Sequence, residues 1–148
     1  MIDKCKIDMN EKLSTLILFV DFKKAFDLIN PKLLFHKLFH YGFDNLSLSL
    51  FRDYFKNRLQ VCKIGNSLSK PSNISLGVPQ GSVLGPLLFL IFINDIMYDF
   101  NLNTYLFADD MTIFTSGNDL NDTIGRFKLL LEPFLKWTKF NQLTVNWS

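Results

Sequence analysis

The sequence predicts an α+β fold, with helices packed on one face of a mainly antiparallel sheet. Three observations predict it. Leu16–Val20 is a short, wholly apolar run that ends in an acid, Asp21, as a strand buried on both faces would. Thr104–Ala108 and Met111–Thr115 are strand-like runs with only Asp109-Asp110 between them, the pattern of a tight hairpin. Between and after these runs lie segments with helical starts, stops and periodicity. The resulting order is strand, helices, hairpin, helix, hairpin, helix, strand, which belongs to α+β architectures.

The helices follow from local chemistry. Asn30-Pro31 offers a capping side chain followed by proline at the first helical position, and Gly42 is a natural stop. A second helix is expected over about Leu46–Asn57. Leu59–Ile64 and Ile74–Val78 read as strands around a Gly/Asn/Ser/Pro-rich turn. A buried helix is expected over about Pro86–Phe100. A long helix starts near Asn121, where Ile124, Phe127, Leu131 and Phe134 recur at helical spacing; Pro133 should kink it. Leu143–Trp147 reads as a last strand.

Bulk properties narrow the class. With 148 residues the chain has room for one domain with a proper core. Its 48% hydrophobic and 20% charged content excludes a disordered chain. The net charge of +2 is too small to announce a nucleic-acid binder, because Lys/Arg and Asp/Glu nearly cancel. Cys5 and Cys62 are the only cysteines and have no metal-ligand spacing, which argues against a disulfide scaffold or zinc ribbon. Met1–Asn10 lacks the apolar segment of a signal peptide. The most apolar stretch, Val83–Ile93, is about half the length that spans a bilayer, so no membrane partner is expected.

The chemistry-bearing residues are acidic. Asp21 lies at the tip of an apolar strand and Asp109-Asp110 at the turn of a hairpin. Taken singly, each has a bland explanation: Asp favours turns and helix caps. Brought together, three carboxylates would repel one another. Hard Mg²⁺ relieves that repulsion, because it prefers carboxylate oxygens and leaves room for phosphates. Two such ions, about 4 Å apart, serve in-line phosphoryl displacement. A third element, Gly77–Pro86, is a Gly/Pro loop opening into a helix, where glycines let backbone approach a ligand closely.

Together these segments resemble a known family. Phe19-Val20-Asp21-Phe22-Lys23-Lys24-Ala25-Phe26-Asp27 resembles motif A of reverse transcriptases, Gly77–Pro86 with its Pro-Gln-Gly centre resembles motif B, and Phe107-Ala108-Asp109-Asp110 resembles motif C. Ala108, Ser82-Val83-Leu84-Gly85-Pro86 and Asn94-Asp95-Ile96 are similar to the non-LTR retrotransposon branch, and group II intron and retron enzymes share parts of the pattern. The likeness runs from about Leu13 to Trp147.

The resemblance implies a polymerase palm, an antiparallel sheet with a ferredoxin-like core, and RNA-directed DNA polymerase activity. Asp21, Asp109 and Asp110 would be the catalytic acids and would hold two Mg²⁺ ions, or Mn²⁺ in their place, with the Phe22 carbonyl as a further metal ligand. Phe26 would be the steric gate that favours deoxynucleotides; on its own it would be read as a core aromatic. Gln80 and Gly81 would lie beside the incoming nucleotide. Partners would be an RNA template, a DNA primer and dNTP, in an intracellular setting, nuclear or cytoplasmic. Trp137–Trp147 would belong to motif D, which in the family leads into a lysine beyond Ser148. Residues 1–148 are thus expected to form a partial reverse transcriptase domain with motifs A to D, fingers and thumb largely missing, and weak or no activity alone. The competing expectation is a catalytically dead palm remnant that acts only as a nucleic-acid or protein interaction module.

Two lesser features have solvent-facing explanations. His36 and His40 lie four apart on a helix, but Lys37 stands where a metalloprotease motif has Glu. Arg52, Lys56, Arg58 and Lys63 form a modest basic cluster, by default a solvated face.

Overall fold

The computed structural model describes residues 1–97 and 103–147. The chain forms two compact units, one made of residues 1–25 and 93–148 and the other of residues 26–92.

The first unit is built on a three-stranded antiparallel sheet in the order β1-β7-β6, where β1 is Ser14–Val20, β6 is Asn103–Phe107 and β7 is Asp110–Gly117. The register pairs Val20 with Met111, Leu18 with Ile113, and Leu106 with Met111. Side chains alternate across a strand, so Leu18, Val20, Met111 and Ile113 share one face. Val20, Met111 and Ile113 on that face are buried. Helix α5, Leu120–Phe140, packs there through Phe134, which is fully buried and 6.5 Å from the Phe22 ring centroid. Gly117 makes room for it: a Cβ at that position would lie 2.6 Å from Thr123 Oγ1.

The N-terminal helix α1, Ile2–Asn10, has no counterpart in the expected order. Its sequence is polar and offers no apolar periodicity to read. It reaches the other face of the sheet, where Asp8, fully buried, accepts a hydrogen bond from Thr15 Oγ1 at 3.0 Å. The other Asp8 oxygen is met by the Lys4 ammonium at 2.8 Å. The Lys4 contact, aided by the Thr15 and Ser116 hydroxyls, holds the Asp8 carboxyl below the usual carboxylate range against the opposing effect of desolvation. The expectation of helices on one face therefore describes α5 but not α1.

In the second unit, α2 (Pro31–His40) and α3 (Asn45–Phe55) form where expected. The Asn30 side chain accepts from the Lys32 amide at 2.9 Å, and the Asp44 carboxylate from the Ser47 amide at 2.8 Å. Both bonds satisfy donors that a helix start leaves orphaned. Helix α4, Leu84–Ile93, starts two residues before Pro86, which sits in the first turn, where its missing N–H costs nothing. The sequence reading of α4 as a buried helix holds for one side only: Leu88, Phe89 and Phe92 have no exposure, whereas Leu87 and Leu90 are about half exposed. Its expected continuation to Phe100 becomes a 3₁₀ turn over Asn94–Met97, and the last residues lie outside the described ones. Among the described residues no helix is long and apolar enough to cross a membrane.

Two strand expectations fail. Leu59–Ile64 and Ile74–Val78 do not form a hairpin. Instead β2 (Leu59–Gln60) pairs with β5 (Ser72–Asn73), and β3 (Lys63–Ile64) with β4 (Ser67–Leu68). The two ribbons differ in register by one residue. The first pairing ends at Gln60 and Ser72, and the second resumes shifted, with the Ser69 amide donating to the Cys62 carbonyl at 2.9 Å. Of Ile74–Val78, Ile74 extends the first ribbon, its amide donating to the Arg58 carbonyl at 3.0 Å, but Gly77 donates to the Ile29 carbonyl and Val78 to that of Phe26. Leu143–Trp147 is likewise no strand. It makes one antiparallel rung, Phe22 with Val145. Helix α5 runs through Pro133 without ending.

Candidate active site

The sheet of the first unit gathers the acids of motifs A and C. Asp21 is the residue after Val20, and Asp110 is the residue before its partner Met111. Both therefore lie at the same end of adjacent strands, and alternation turns both toward the face opposite α5. Asp109 occupies the turn of the β6–β7 hairpin, whose last rung pairs Phe107 with Asp110. Ala108 adopts φ +53°, a left-handed conformation that a two-residue hairpin turn requires. Asp21 and Asp110 are exposed and Asp109 half-buried. Among the described residues no three His, Cys, Asp or Glu side chains converge on a ready-made metal cage. The donor chemistry nonetheless suits a hard cation, since every candidate ligand is a carboxylate or carbonyl oxygen. Phe22, whose carbonyl the sequence proposes as a further ligand, is buried and anchored to Val145 by the single rung.

The sequence reading gave no role to Asn146. Its amide donates to the Asp21 carbonyl at 2.8 Å, and its side-chain Nδ2 donates to Asp21 Oδ2 at 3.1 Å. No motif spacing flags a contact between residues so far apart in the chain.

The remaining candidates belong to the second unit. Phe26 is half-buried, with its ring centroid 4.5 Å from that of Phe89, so packing is part of its role. Gln80 is exposed and donates from Nε2 to Asp27 Oδ1 at 2.6 Å. Asp27 is thus a further residue of interest, present in motif A but given no function by its position in the sequence. The glycines of the loop serve two ends. Gly77, at φ +84°, lies against the backbone of Asp27, and a Cβ there would sit 2.8 Å from its Cα and carbonyl oxygen. Gly81, at φ +74°, has open space where a Cβ would point. The close approach expected of this loop is therefore made by Gly77 to the protein itself, while Gly81 faces an unfilled region. Ser82 closes the loop, donating to the Pro79 carbonyl at 2.6 Å and accepting from the Gly85 amide at 3.0 Å.

The two lesser features are as the sequence suggested. His36 and His40 are exposed, with ring centroids 4.3 Å apart. Arg52, Lys56 and Lys63 are exposed, and the Arg58 guanidinium lies 5.8 Å from the Tyr54 ring centroid.

Comparison with known proteins decides the family. Residues 2–148 match the family described as reverse transcriptase (RNA-dependent DNA polymerase). The chain belongs to that family. It is 32% identical over 146 residues to the probable RNA-directed DNA polymerase from transposon BS of Drosophila melanogaster, an alignment covering 86% of this chain and 15% of that protein. It is 26% identical, over 88% of its length and 15% of the relative, to the probable RNA-directed DNA polymerase from transposon X-element of the same organism. The RNA-directed DNA polymerase from mobile element jockey of Drosophila funebris is 29% identical over 86% of this chain and 15% of that protein. This reverse transcriptase chain thus spans about 15% of the length of these curated relatives, which come from transposons or mobile elements.

Proposed function

We propose that this chain carries the palm core, ferredoxin-like in plan, of an RNA-directed DNA polymerase that adds dNTPs to a DNA primer on an RNA template. The observation that carries the reading is the β1–β7–β6 register, which sets Asp21 at the same end of the sheet as the Asp109-Asp110 turn. Asp21, Asp109 and Asp110, with the Phe22 carbonyl, are the groups that would hold Mg²⁺. Bound there, the cations would activate the primer hydroxyl and neutralise charge on the departing pyrophosphate.

The chain's own residues supply position and selectivity. The β6–β7 turn presents two acids in a fixed frame, since the ladder on both sides of β7 limits its movement. Phe26, braced by Phe89, would exclude a ribonucleotide 2′-hydroxyl by bulk. Gln80, oriented by Asp27, would contact the incoming nucleotide, and the open side of Gly81 would leave space for it.

The test is primer extension by the purified chain on an RNA template with Mg²⁺ and dNTPs, beside Asp109→Ala and Asp21→Ala. The expected result is slow extension that both variants abolish. Extension that survives Asp109→Ala removes that residue from catalysis. A second reading, a remnant that binds without catalysing, is favoured by the lack of a ready-made acidic cage among the described residues. It predicts no Mn²⁺ binding that depends on Asp21 and Asp109.

A further inference from the structure

The contact between Asn146 and Asp21 points to a role for the segment after α5. This segment is held at several points. The Leu143 amide donates to the Thr138 carbonyl at 2.9 Å, at the end of the helix. Leu143 and Val145 are buried, while Thr144 and Asn146 between and beyond them are exposed. The Lys23 amide donates to Thr144 and the Asn146 amide to Asp21, both at 2.8 Å, completing one antiparallel rung about Phe22 and Val145. With the backbone so fixed, alternation sets Asn146 level with Asp21 and on the same face. Its Nδ2 then reaches Asp21 Oδ2 at 3.1 Å. A free Asp side chain turns readily about its last torsion; a donor held at one oxygen restricts that turn and leaves Oδ1 to serve a cation.

We propose that Asn146 is a positioning residue, orienting the Asp21 carboxylate for a divalent cation. The proposal rests on the reading of Asp21 as a metal-binding acid. Hydrogen-bond partners of metal ligands typically change affinity by roughly 10–100-fold when removed. Asn146 is exposed, so replacing its side chain removes no core contact.

The experiment is Mn²⁺ titration of the whole 148-residue chain, with free Mn²⁺ read by electron paramagnetic resonance. The variants are Asn146→Leu, of similar size but without a donor, Asn146→Gln, which retains one, and Asp21→Ala. Asn146→Leu should weaken binding about tenfold or more with an unchanged melting temperature, and Asn146→Gln should recover part of the loss. In a ¹⁵N-correlated spectrum of the metal-free chain, the Asn146 side-chain amide signals should move on Asp21→Ala. Parent-like Mn²⁺ affinity in Asn146→Leu, alongside lost binding in Asp21→Ala, overturns the proposal alone. Unmoved Asn146 signals also overturn it, since they mean the hydrogen bond is not made. Parent-like binding in Asp21→Ala overturns the metal reading and this proposal with it.

Discussion

Gly77→Ala is a sharp probe of how the motif B loop is held. The change adds one methyl group, and two separable penalties follow. The first is conformational. Gly77 has φ +84°, and an L-residue in left-handed conformation costs about 1–2 kcal/mol. The second is steric. The new Cβ would stand 2.8 Å from the Asp27 Cα and carbonyl oxygen and 3.0 Å from its carbonyl carbon. These are backbone atoms and cannot swing aside as a side chain would. Forcing a methyl into such a space costs about 1–3 kcal/mol, so the total is about 2–5 kcal/mol. Typical domains have only about 5–15 kcal/mol of stability, so this loss is large. Gly42→Ala is the control. Gly42 lies in the same unit at φ +90°, with nothing within 4 Å of a Cβ, and should lose only the conformational part. Urea denaturation of the parent and both variants measures the difference, with unchanged slopes showing that the denatured states match. Gly77→Ala should lose about 1–3 kcal/mol more than Gly42→Ala. Equal losses would refute the claim that Gly77 is required by contact with Asp27.

Two further predictions concern the first unit. Asp8→Asn removes a buried carboxylate held below its usual range, chiefly by Lys4, and should destabilise the chain at neutral pH by about 1.5–3 kcal/mol, the usual worth of a hydrogen bond to a charged group. Because the folded-state value is depressed, that stabilisation is present above the ordinary Asp value of 3.8 and fades as pH falls through the lower folded value. The melting-temperature gap between parent and variant should therefore close below pH 3.8, and a gap unchanged by acid would contradict the assignment. Phe134→Ala empties a fully buried position beneath the sheet and should cost about 3–5 kcal/mol in denaturant titration; a loss under about 1 kcal/mol would place Phe134 outside the core.

Family, main elements and acidic residues were legible in the sequence because each rests on short-range chemistry. Leu16–Val20 is apolar throughout, Asn30-Pro31 caps a helix, and two strand-like runs flank Asp109-Asp110. These features need no partner to be read. What failed depended on partners. The ribbon over residues 59–73 changed register partway, and the segment after α5 made one rung where a strand was expected. Helix α1 was missed because its anchor is a buried charge, Asp8, not an apolar stripe.

The sequence by itself determined which residue types stand ready for chemistry, since motif spacing along the chain is a local property. Only the tertiary structure decided which of them meet. Pairing of β1 with β7 brings Asp21 level with Asp110, and the rung after α5 delivers Asn146 to Asp21 from 125 residues away. In the second unit, the approach of Gly77 to Asp27 accompanies the bond that orients Gln80. Such contacts arise from strand register and close packing, which join residues without regard to their distance along the chain.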